Sequence, residues 1–159
     1  MTNKDIDSFF QDSGLTDSVE KVERYPNVMW GFSAGRHQLM IQTQEEANRM
    51  RIVASVVNES DLDRPELCKL MEANYHSALD ARYALTDGKL VSLYLHPLEE
   101  LTATQFTLGL YQTIMCAQSF GTSYSGGTMV FGASGGRGAD SAENSIQDIL
   151  REVVASIKR

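Results

Sequence analysis

The chain has 159 residues, 42% of them hydrophobic and 22% charged. That suits one domain with a real core and excludes a wholly disordered chain. Its 14 basic and 21 acidic side chains leave a net charge of −7, which argues against holding nucleic acid by its phosphates or lying on an anionic membrane.

The polar start MTNKDIDSFF does not read as a signal peptide, and no apolar run approaches membrane length. The expectation is a cytoplasmic protein with no membrane insertion. Ile6, Phe9 and Phe10 fall at helical spacing before Gly14 and predict a short helix over 3–13. The following stretch, LTDSVEKVERYP, is ambiguous between helix and strand. Three strands are expected next, over 27–33, 37–43 and 49–57, with turns at Ala34-Gly35-Arg36 and at 44–48. The third alternates, with Met50, Ile52, Ala54 and Val56 sharing one face.

Asp63 and Glu66 form a capping box with Pro65 in the first turn, and Leu67, Leu70, Met71 and Asn74 continue as a helical stripe. A hairpin over 81–86 and 89–96 turns at Asp87-Gly88, a pair suited to a type I′ turn. Thr102 and Gln105 form a second capping box, opening a helix to about residue 120 that is apolar around much of its girth. Residues 121–139 hold 7 of the 12 glycines and read as a loop or linker around the apolar island Met129-Val130-Phe131. Asp140 and Glu143 then cap an amphipathic helix over 140–158. The expected class is α+β, an antiparallel sheet in the order α-βββ-α-ββ-α, followed by a glycine-rich loop and an extra C-terminal helix.

Little of this carries chemistry. The glycine-rich stretch lacks the lysine and spacing of a phosphate loop. His37, His76 and His96 are scattered, and Glu72 with His76 reads as a surface pair. Asp61 and Asp63 lack the glycine that a calcium loop needs. Cys68 and Cys116 show no CxxC and read as core residues in helices. No enzyme active site, metal or cofactor is expected. The informative feature is apolar material on thin elements: Phe9 and Phe10 on the first helix, Met29, Trp30 and Phe32 on the first strand, Leu39, Met40 and Ile41 on the second. Either helices cover both sheet faces, or part of this material is a surface for a partner chain.

The run from Leu67 to Ile114 resembles the class I (CesT-like) chaperones of type III secretion. The residues that carry the resemblance are Leu70-Met71-Glu72-Ala73-Asn74, Asp87-Gly88-Lys89-Leu90-Val91 and Leu95-His96-Pro97-Leu98-Glu99-Glu100-Leu101. The element order, small size and acidity agree with it. The resemblance divides the chain into a chaperone-like domain over 1–120, the glycine-rich segment 121–139, and a helix over 140–159 that packs on the domain or on a second subunit. It implies a homodimer that binds an extended segment of an exported client protein. The dimer contact would fall on Leu67, Leu70, Met71, Tyr75 and Tyr83, and the client on Phe9, Phe10, Trp30 and Met40. The glycine-rich segment and last helix depart from the compact family pattern, and Met129-Val130-Phe131 could insert as an internal mimic of a client. The YbjN-like group shares the fold, so a regulatory or assembly protein with no secretion client is the alternative. A ligand site at the glycine-rich loop, using Ser134 and Arg137, is a third.

Overall fold

Thr2 starts the first helix, α1 (Asn3–Asp12), by a reciprocal cap in which its hydroxyl accepts from the Asp5 amide and the Asp5 carboxylate accepts from the Thr2 amide. The computed structural model describes residues 1–126 and 146–158. Met129-Val130-Phe131, Ser134, Arg137 and the cap at Asp140 lie outside the described residues. Two further helices, α2 (Arg64–His76) and α3 (Ala103–Gln118), open on the same device. Asp63 pairs with Glu66 and Thr102 with Gln105, as the sequence predicts. The fourth, α4 (Ile146–Ile157), lies within the predicted C-terminal helix.

The stretch that was ambiguous by sequence forms a 3-10 turn at Thr16–Ser18 and then strand β1 (Glu20–Arg24). The other strands are β2 (Asn27–Ala34), β3 (His37–Gln44), β4 (Arg49–Asn58), β5 (Arg82–Thr86) and β6 (Lys89–His96). They make one antiparallel sheet in the order β1-β2-β3-β4-β6-β5. Asp87 and Gly88 both have positive φ, 49° and 71°, as a type I′ hairpin turn requires. A register shift between Ser55 and Val57 lets Val56 bulge, so the alternation expected for β4 holds only as far as Ala54.

Register decides what each face carries. Trp30 stands opposite Ile41, Ile41 opposite Ile52, and Ile52 opposite Tyr94. These residues, with Phe32, Leu39, Met50 and Ala54, pack under α1, α3 and α4 in the main core. Ile6 and Phe10 of α1, Phe106, Leu110 and Ile114 of α3, and Val153 and Ile157 of α4 complete it. Edge-to-face pairs knit the layers, Phe9 to Phe106 at 5.0 Å and Phe10 to Phe32 at 5.5 Å between centroids. The N-terminal ammonium donates to the carbonyls of Leu98 and Leu101, both at 2.9 Å, tying α1 to the start of α3. A second, smaller cluster lies under α2, where Leu70 and Ala73 meet Tyr83, Leu90 and Cys116. On the opposite face of the sheet, Met40, Val53 and Leu93 are half-buried and Leu95 is 62% exposed. Among the described residues, no helix packs there.

Two expectations about α2 are corrected. Cys68 is exposed instead of in the core, and Met71 of the predicted stripe points to solvent. The helix rests on the edge strand, so only a narrow line through Leu70 and Ala73 is covered.

Candidate functional site

The residues implied as client contacts are not brought to one surface. Phe10 and Trp30 are buried in the main core, at 3% and 1% exposure. Trp30 also donates its Nε1–H to Asp7 Oδ1 at 2.8 Å, while Lys21 Nζ, 2.8 Å from Asp7, sits 5.6 Å above the indole. Phe9 is half-buried on the outer side of α1. Met40, paired with Gly31 one residue out of phase with Trp30, lies on the opposite sheet face. Phe10 and Trp30 therefore support a surface from beneath, while Phe9 and Met40 reach solvent on different sides.

The implied dimer residues divide in the same manner. Leu70 and Tyr83 are buried, and Leu67 is half-buried. Met71 and Tyr75, one helical turn apart, are 59% and 79% exposed and present an apolar strip on α2. Several polar groups beneath that strip are hydrogen-bonded. The Asn74 carboxamide accepts from the Tyr83 amide at 2.7 Å and donates to its carbonyl at 3.0 Å. Gln112 Oε1 accepts from the Asp80 and Ala81 amides, and the Tyr83 hydroxyl donates to the Cys116 carbonyl at 2.6 Å. Burial pushes the Tyr83 hydroxyl well above its ordinary range and the Cys116 thiol from 9.0 to about 11.

That contrast makes a prediction. In the native protein one thiol, Cys68, reacts readily with a disulfide reagent at pH 8, and the second reacts only in denaturant. Two fast thiols would contradict the burial of Cys116. The neutral thiol is the form the fold favours, so its contribution is complete below pH 9 and is lost as pH rises toward 11. The loss amounts to about 2–3 kcal/mol, and burial of Tyr83 acts in the same direction.

At the sheet's other edge β1 is exposed along its length, and among the described residues no strand pairs with its outer side. Lys21 is held between Asp7 and Glu23, both at 2.8 Å. Those two carboxylates raise its pKa, the Asp7 hydrogen bond most strongly.

On the side of α1 away from β1, α1 and α4 form the walls of an open groove of about 860 Å³. Phe9, Leu150 and Val154 give it an apolar lining, Asp5 and Asp12 stand on the α1 side, and Arg151 and Lys158 on the α4 side. Sequence reasoning singles out Phe9 but does not foresee the groove. Leu150 and Val154 flank the Val153–Ile157 stripe, so α4 is apolar over more than the one face its core contact uses. Among the described residues, no group of three or more His, Cys, Asp or Glu side chains is placed to hold a metal. No described helix is long and apolar enough to cross a membrane.

Helices gathered on one face of an antiparallel sheet, with α1, α2 and α3 in this order along the chain, make an α+β fold that solved structures share. Two solved structures carry the comparison. A chain of the ExsC–ExsE complex matches at a TM-score of 0.56 and 14% identity, over 72% of this chain and 90% of that one. A chain of the HopA1–SchA chaperone–effector complex matches at 0.53 and 9% identity, over 72% and 91%. No protein-family model and no curated protein matches the chain.

Proposed function

We propose that this protein is a non-catalytic homodimeric chaperone that holds an extended segment of an exported client protein. The observation that carries the reading is the fold, shared with a chain of a chaperone–effector complex. The exposed edge at β1 supports it. An extended segment added there gains main-chain hydrogen bonds. Phe10 and Trp30 take part by holding α1 and β2 in place.

The test is capture of a partner from native extract, with the complex sized by light scattering and the bound segment mapped by hydrogen exchange. A dimer holding one protein through a short unfolded segment, with β1 amides newly protected, supports the reading. A monomer that captures nothing overturns it, and capture of folded proteins alone favours the YbjN-like alternative.

The dimer contact is proposed on the Met71–Tyr75 strip, with Leu67 at its margin and Leu70 and Tyr83 beneath. The double substitution Met71→Glu and Tyr75→Glu is expected to halve the molar mass in solution. Both positions are exposed in the monomer, so its stability should move by no more than about 0.5 kcal/mol. An unchanged mass would remove the dimer from this surface.

A further inference from the structure

The groove between α1 and α4 differs in kind from a sheet edge. Both of its walls are helices, whose backbone groups are already bonded within themselves. An extended peptide laid against Phe9, Leu150 and Val154 would leave its own amides and carbonyls without partners in an apolar trough. A helix brings its backbone satisfied and needs only an apolar face. Length agrees, since the ten residues of α1 give a wall of about 15 Å, matched by an occupant of about 10–12 residues.

Charge narrows the occupant further. One rim is acidic, through Asp5 and Asp12, and the other carries Arg151 and Lys158. Asp5 is held below the ordinary carboxylate range, chiefly by hydrogen bonding from the Thr2 backbone, so it is ionised at neutral pH. Arg151 pairs with Asp148 at 2.8 Å yet remains 76% exposed and available to an incoming carboxylate.

We propose that this groove receives an amphipathic helix of a partner protein, with its apolar face inward, a basic flank along α1 and an acidic flank along α4. The proposal rests on the protein-binding reading but takes a helix where that reading takes an extended segment. It makes α4 a wall of the site as well as part of the core.

The probe is a fluorescent synthetic peptide of about 12 residues, with leucines at i, i+3, i+4 and i+7, lysines on one flank and glutamates on the other. Binding is read by anisotropy with the full chain. The expected result is saturable binding, weakened at least about tenfold by Leu150→Glu and by the double change Arg151→Glu and Lys158→Glu. Arg151 and Lys158 are surface residues, so the second variant tests the site should the first fold poorly. A peptide with proline at its centre is expected not to bind. The proposal is overturned by no binding to the unmodified chain, by equal binding of the proline peptide, or by affinity unmoved by the charge-reversed variant. A fall in molar mass with Leu150→Glu also overturns it, because a second copy then fills the groove. Failure here with client capture intact leaves the chaperone reading standing, whereas loss of capture alone counts against that reading and not the groove.

Discussion

Gly109→Ala is expected to lower the melting temperature by about 4–8 °C, although alanine is the better helix former. Propensity alone would favour the change by about 1 kcal/mol at this mid-helix position of α3. Packing opposes it. A Cβ built at Gly109 lies 2.6 and 2.7 Å from Cε1 and Cδ1 of Tyr94, closer than real methyl groups approach a ring. Tyr94 has little room to yield, being 6% exposed in the core and stacked on His96 at 6.1 Å. Overpacking against a ring this close costs about 3 kcal/mol, the upper end for such changes, and α3 and β6 would have to part to relieve it. We expect the net effect to be a loss of about 2 kcal/mol, which gives the stated shift for a chain of this size. Thermal melts check it, and Tyr94→Leu in the same chain should recover at least about 1 kcal/mol through direct coupling. A higher melting temperature for Gly109→Ala alone would show that β6 does not press on α3 as described.

Val153→Asp is expected to be the more damaging change. The side chain is 1% exposed in the main core, and an unpaired carboxylate there costs about 3–5 kcal/mol. The helix can avoid that cost only by leaving its seat on α3 and β2. Detachment would break the Gly35 amide to Ser156 carbonyl bond at 3.1 Å and uncover the apolar residues that Val153 and Ile157 shelter. The measurements are hydrogen exchange and hydrophobic-dye binding at neutral pH. Amides of α4 should lose protection and dye binding should rise. Val153→Ala, with no charge to bury, should cost about 2 kcal/mol and leave the helix docked. If the aspartate variant kept both protection and melting temperature, α4 would not be part of this core.

Much of the fold was legible in the sequence because local chemistry announced it. The capping boxes at Asp63 and Thr102, the Asp87-Gly88 turn and the alternation from Met50 to Ala54 each depend on neighbours a few residues apart, and each holds. The first strand was not legible, because Glu20–Arg24 is exposed throughout and shows no buried alternating side to detect. The surface residues were legible only in part. The two-residue turn at Gly35 and Arg36 sets Trp30 opposite Ile41, which places Met40 on the other face. Phe9, Phe10, Trp30 and Met40 could form one wall only if that parity were ignored. The groove escaped because it exists only once α4 docks beside α1, a contact no local pattern encodes.

The Asn74 carboxamide, bonded to both backbone groups of Tyr83, does for β5 what a neighbouring strand would do. One side chain thus closes the sheet to further growth at that position, while the β1 side stays open behind the alternating charges of Glu20, Lys21, Glu23 and Arg24. The molecule is consequently directional. At Tyr83 the β5 edge is already bonded, whereas an extended chain meeting the β1 edge faces the alternating charges of that fringe. The two edges of the sheet are therefore unequal, and a single carboxamide makes end-to-end stacking of copies less favourable at the β5 side.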